Sequence, residues 1–89
     1  MSVWVDDAMI PARLGQWPAK WSHLQADTKD ELHSFARLLG LRSEWFQDHP
    51  RLWHYDVTKS VREKAIKLGA EAVTLKEGVR RALAREMVT

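Results

Sequence analysis

Asp27-Thr28-Lys29-Asp30-Glu31-Leu32-His33-Ser34-Phe35-Ala36-Arg37-Leu38-Leu39-Gly40 reads as a helix with both ends marked. Asp27 or Thr28 can cap it, and Glu31 stands three residues after Thr28, the spacing of a capping box. Leu32, Phe35, Ala36 and Leu39 repeat at i, i+3, i+4 and i+7, which gathers them into one apolar stripe. Gly40 supplies the left-handed residue that ends such a helix.

Working outward, Val3-Trp4-Val5 is short, β-branched and aromatic and stops at Asp6-Asp7, so it predicts a first strand. Residues 8–27 hold Pro11, Gly15 and Pro18 and read as a long connection, a length usual for functional loops. Beyond the helix, Glu44-Trp45-Phe46-Gln47 predicts a second strand, followed by a polar loop from Asp48 to Val57 that contains Pro50. Thr58, Glu63 and the stripe Val61, Ala65, Leu68 mark a second helix closed by Gly69. Ala70 to Thr74 is the third strand, and Leu75, Val79, Ala82 and Leu83 carry a last helix to the carboxyl end. The order β-α-β-α-β-α predicts an α/β domain: a small three-stranded, mostly parallel sheet with helices packed on it. The first strand is placed at its centre, in the order 2-1-3.

The bulk numbers narrow the class. Eighty-nine residues make a single domain over 1–89. With no cysteine, neither disulfides nor thiolate-held metals contribute. A net charge of +2, spread along the chain, argues little for nucleic acid and does not exclude it. Acids stand at the amino end where a signal peptide carries cations. No apolar run approaches the roughly 20 residues of a membrane helix, so a cytoplasmic, non-membrane protein is expected. Glycine-rich phosphate loops, nucleophile elbows and the H-E-x-x-H zinc motif are all absent from the sequence.

In an open parallel sheet, ligands bind beyond the carboxyl ends of the strands. The predicted strands put Asp6, Asp7, His23, Asp27, Asp48, His49, His54, Tyr55, Asp56, Thr74 and Lys76 on that edge. Neighbours on a strand point to opposite faces, so only one of Asp6 and Asp7 faces a site. Asp6 is taken as that one. His54-Tyr55-Asp56 projects a histidine and an aspartate the same way, and with Asp6 these form a set for a divalent ion. The same groups also suit acid–base work, with Asp6, His23, His54 and Asp56 as catalytic residues. A plainer reading has Asp56 capping a helix and His54 bonding a carbonyl. Trp21, Asp27, Tyr55, Lys76 and Arg13 are the candidate ligand contacts, since loop tryptophans can stack on a base and cations can meet an anion. The alternative for the five tryptophans is core filler. His33, beside the apolar stripe, has a structural or solvent-facing role, and Arg80, Arg81 and Arg85 a solvated face near a helix end.

Val3 to Asp7, Trp21-Ser22-His23-Leu24, Glu31 to Ala36, His54 to Val57, Gly69-Ala70 and Val73-Thr74 together resemble the domain of unknown function 4031 family of bacteria and phages. The resemblance covers nearly the whole chain and implies a short α/β domain, with no activity attached. The family places an aromatic residue and an acid just before H-Y-D; here Phe46 and Asp48 are separated from His54 by an extended loop. Three functions stay open: a hydrolase acting on a phosphate-bearing or nucleotide-like substrate, a non-catalytic module binding such a ligand, and a protein-interaction domain. A thin core favours a homo-oligomer.

Overall fold

A computed structural model describes residues 2–85. Its sheet is mixed and six-stranded, which replaces the expected three-stranded, mostly parallel one. The strands are β1 (Val3–Val5), β2 (Ile10–Leu14), β3 (Trp17–Ala26), β4 (Phe46–Gln47), β5 (His54–Thr58) and β6 (Glu71–Ala72). They run in the order β4-β5-β3-β1-β6, with β2 paired to β3 as well. Only β1 and β6 are parallel; β1–β3, β2–β3, β3–β5 and β4–β5 are antiparallel. The helices are α1 (Lys29–Leu38), α2 (Lys59–Lys67) and α3 (Leu75–Ala84). Continuation of α3 to the carboxyl end lies outside the described residues.

Two stretches read as connections are in fact strands. Residues 10–26 form a hairpin turned at Gly15, whose φ of 62° lies in the left-handed region that glycine enters without steric penalty. Apolar residues alternate along it: Ile10, Ala12 and Leu14 pair with Trp21, Ala19 and Trp17. Pro11 and Pro18 obscure that alternation in the sequence. Pro11 is tolerated because β2 is an edge strand, and Pro18 because it stands at the start of β3. The second stretch is β5, where Tyr55 and Val57 point into the core while His54 and Asp56 point away. Half its residues are polar because half of it faces out of the core, and that gave it the look of a loop.

Long β3 is the axis of the domain. Its second half pairs with β1 on one side, and residues 21–24 pair with β5 on the other. On one face of the sheet Val5, Leu24, Ala26, Tyr55 and Val57 meet Leu32, Ala36 and Leu39 of the α1 segment and Ala65 of α2. Leu24 and Leu32 are fully buried, and each such side chain contributes roughly 1.5–3 kcal/mol relative to exposure. Helix α1 starts as its sequence demands, with the Thr28 hydroxyl accepting from the Glu31 amide at 3.1 Å. Gly40, with a φ of 79°, follows its end.

The opposite face is different. Trp4 and Ala82 are buried there, outside the main core cluster, and α3 crosses over the end of β1 and the second half of β3. Helix α3 is fixed at its start by Asp7, whose carboxylate accepts from the Leu75 amide at 2.8 Å, and by Thr74, which accepts from Glu77 N at 3.1 Å. Its other end is held by Arg85. That guanidinium lies 3.4 Å from the centroid of the Trp53 ring and donates to the carbonyls of Ala26 and Arg51. Burial lowers the Arg85 pKa to about 10, with Asp27 opposing, so this residue is no part of a solvated face.

Gly78 is where α3 crosses the sheet. A Cβ added there would lie 3.5 Å from Asp6 Cβ and from Gln25 Oε1, an ordinary van der Waals contact. Glycine inside a helix is roughly 0.8–1 kcal/mol less favourable than alanine. Gly78→Ala is therefore expected to raise unfolding free energy by about 0.5–1 kcal/mol in urea titration. A loss of stability would show that the crossing is tighter than these distances imply.

Candidate metal centre

Beside α3, this face carries polar side chains in two cross-strand rows. The register pairs Val5 with Leu24 and His23 with Asp56, so Asp6, at the end of β1, lies beside His23 and completes one row. Trp4 opposite Gln25 begins the second; extending the pairing of Leu24 with Tyr55 by one residue sets Gln25 beside His54. Strand geometry alone puts these groups on one face, since every second residue projects the same way.

Asp6 is 1% exposed. Its Oδ2 lies 2.7 Å from His23 Nδ1, and its Oδ1 accepts from the amides of His23 at 3.0 Å and Ala8 at 3.1 Å. Burial works to raise its pKa, but the bonds from the His23 ring, the His23 amide and the Ala8 amide together outweigh that and hold it below the usual range. The carboxylate bond in turn raises the His23 pKa against the opposing effect of burial. An ionised carboxylate only accepts, so His23 Nδ1 carries the proton and Nε2 is the ring nitrogen left over.

His54 is pinned in a similar way. Its Nδ1 lies 2.7 Å from the Leu52 carbonyl, which also only accepts, so Nδ1 is the donor there. Nε2 lies 3.1 Å from Asp56 Oδ1. In the neutral ring, two lone pairs would then face each other, an arrangement that needs a proton or a cation between them. The hydrogen bond from His54, followed by smaller charge effects, holds the Asp56 carboxyl below its ordinary pKa despite partial burial. His23, His54 and Asp56 each offer one ligand atom, and these atoms lie within 4.8 Å of one another. The His23 and His54 rings meet edge to face at 4.8 Å between centroids.

A pocket of about 390 Å³ opens beside the two rings, lined by His23 and His54 with Asp6 and Gln25, while Asp56 stands outside its lining. Leu75 and Val79 of α3 form one wall, and the loop His49 to Leu52 forms the other. His49 stacks on His54 with planes 9° apart. Because Arg85 grips the Arg51 carbonyl and the Trp53 ring, α3 also holds that loop in place.

The four residues read as catalytic, Asp6, His23, His54 and Asp56, thus come together, with His23, His54 and Asp56 within β3 and β5 and only Asp6 past the end of a strand. Within the expected metal set of Asp6, His54 and Asp56, His23 occupies the place given to Asp6, and Asp6 stands behind it as its hydrogen-bond partner. The candidate ligand contacts scatter. Tyr55 is buried on the other face, 2.8 Å from His33 Nδ1, so His33 is structural. Asp27 accepts from the Ser2 amide and lines a separate groove beside Arg80, Arg81 and Arg85. Trp21 neighbours His23 on the same face, but its indole turns to the Ala12 carbonyl, away from the pocket. Arg13 is exposed on β2 and Lys76 on α3, both outside the pocket lining. Gln25, a pocket residue, escaped the sequence reading; the alternation Trp21, His23, Gln25 was the signal for it.

Fold and site define a mixed α/β domain with a histidine–aspartate constellation on the polar face of its sheet. The chain belongs to the family described as protein of unknown function (DUF4031), whose pattern matches residues 3–85. No curated protein and no solved structure matches it.

The Asp6–His23 pair carries a pH signature in the metal-free protein. Since the folded His23 pKa lies above its ordinary 6.5, its contribution is complete below that pH and is lost as pH rises through the folded value. Since the folded Asp6 pKa lies below its ordinary 3.8, its contribution is present above that pH and is lost as pH falls through the folded value. Asp6→Asn should therefore cost most between about pH 4 and 6.5, on the order of 1–3 kcal/mol, and less at pH 9. Proton NMR should show the His23 pKa falling in the variant. An unchanged His23 titration would refute the pairing.

Proposed function

We propose that the chain is a metal-dependent hydrolase whose divalent ion is held by His23 Nε2, His54 Nε2 and the Asp56 carboxylate, and whose substrate bears a phosphate. The observation that carries this reading is the support behind both imidazoles. Metal-bound histidines characteristically donate their other ring N–H to a carboxylate or a backbone carbonyl, which fixes the tautomer. His23 has the first kind of partner in Asp6 and His54 the second in Leu52. Two nitrogens and one oxygen suit zinc or another late first-row ion.

Three protein ligands leave a coordination position free, the pattern of a catalytic site and not of a structural one. An ion there would supply a hydroxide near neutral pH and polarise a phosphoryl oxygen. The chain's own groups do the rest. Leu75, Val79 and Leu52 wall the pocket against water, while Arg51 brings a cation to the loop side, where an anionic group would enter. The plainer reading of His54, as a ring bonding a carbonyl, is compatible with this: that bond aims Nε2 at the ion.

Titration calorimetry of metal-stripped protein with zinc tests the centre. His23→Ala, His54→Ala and Asp56→Ala should each remove measurable binding, while Asp6→Asn should weaken it by about 10- to 100-fold. Zinc-loaded protein is then assayed on phosphomonoester and phosphodiester dyes. Tight zinc binding without turnover would move the reading to a non-catalytic ligand-binding module, and zinc affinity equal in all variants would end it.

A further inference from the structure

Four side chains occupy a two-by-two patch on β3 and β5: His23 is paired with Asp56, and the register continued one step past Leu24–Tyr55 sets Gln25 beside His54. Three corners are the ligand groups of the proposed centre. Gln25, at the fourth corner, is 4% exposed and lines the pocket. Its orientation is fixed by chemistry. The Trp4 indole N–H can only donate, and it lies 3.0 Å from Gln25 Oε1. The carbonyl oxygen is thereby occupied, and the NH₂ group is the end left to face the pocket. Among the described residues, Nε2 has no hydrogen-bond acceptor. Nε2 is not fully buried, so the NH₂ reaches the pocket and its two donors are available to an acceptor there, beside the candidate ion site.

We propose that Gln25 Nε2 is a substrate-binding donor: it hydrogen-bonds a phosphoryl oxygen of the ligand that the ion at His23, His54 and Asp56 engages. This rests on the metal-centre reading and adds a second point of recognition to it. Metal and amide then grip two oxygens of one tetrahedral group from adjacent corners of the patch. Oxygen-rich anions of phosphate type suit this pair, since the ion takes one oxygen and the amide requires an acceptor. Helix α3 crosses closely at Gly78, where a Cβ would sit 3.5 Å from Gln25 Oε1, and this helps to keep the Trp4–Gln25 bond shielded from water.

Inorganic phosphate is the probe, titrated into the zinc-saturated full chain, with two variants. Gln25→Glu keeps an oxygen for Trp4 but replaces the donor by an anionic acceptor. Gln25→Met removes the donor without adding charge. Loss of one hydrogen bond to a charged group corresponds to about 10- to 100-fold weaker phosphate binding, and both variants should show it at full zinc occupancy. In the wild type, phosphate should also shift the Gln25 side-chain NH₂ resonances. Phosphate affinity equal to wild type in both variants overturns the proposal. Weakening confined to Gln25→Glu would be plain charge repulsion, and weakening confined to Gln25→Met would mark Gln25 as a structural partner of Trp4; either result also overturns it. Zinc uptake without phosphate binding in the wild type defeats the Gln25 donor alone, whereas no zinc uptake at all removes the centre and the donor together.

Discussion

A buried carboxylate joins this fold to its candidate chemistry. Asp6 sits where β1 ends and the chain turns toward β2, almost wholly buried at the edge of the pocket. Three donors converge on its two oxygens, and its backbone carbonyl accepts from Arg62 Nε of α2 at 2.7 Å. One residue thus ties β1 to β3, sets the path out of β1, and anchors α2 from the far face of the sheet. It also decides which nitrogen His23 turns to the pocket. An ionised group held this deeply is costly unless donors meet its oxygens, and here His23 of β3 supplies two and the nearby Ala8 amide a third.

The rest of the site follows from the β lattice. Its side chains stand on neighbouring antiparallel strands, so their spacing is set by backbone ladders and not by loop conformation. Two walls are added afterwards: α3, capped by Asp7, and the loop ahead of β5, held by Arg85 against Trp53. Adjacent aspartates divide the labour, Asp6 turned inward to the histidine and Asp7 outward to the helix start. Two of the tryptophans serve as scaffold here: Trp4 orients Gln25 and Trp53 receives Arg85.

Much of this was legible in the residues. The Thr28 cap, the stripe on α1, the short strand Val3–Val5 and the helices after Thr58 and Thr74 all carry local signals that tertiary packing had no reason to override, although the Glu31 half of the capping box does not form. The histidines and aspartates that meet were also visible, because alternation on H-Y-D and the end of a strand at Asp6 both favour projection to one side. Sheet topology was not. Pro11 and Pro18 looked like loop punctuation although Ile10, Ala12, Leu14, Trp17, Ala19 and Trp21 keep a period of two, and β5 looked too polar for a central strand. A strand with its core on one side and a polar pocket on the other shows little net hydrophobicity. That is also why Tyr55 was placed with its neighbours: the parity that unites His54 and Asp56 sends the residue between them to the opposite side.

The cross-strand rows have a consequence for how the domain acquires its shape. If β5 slid by a single residue against β3, Tyr55 and Val57 would be turned out to solvent and His54 and Asp56 driven into the apolar layer. The constellation and the core are two readouts of one alignment, so no misaligned sheet can keep either. An ion that binds only the aligned form would add its binding energy to that form alone, acting as a proofreader of strand pairing as well as a reagent.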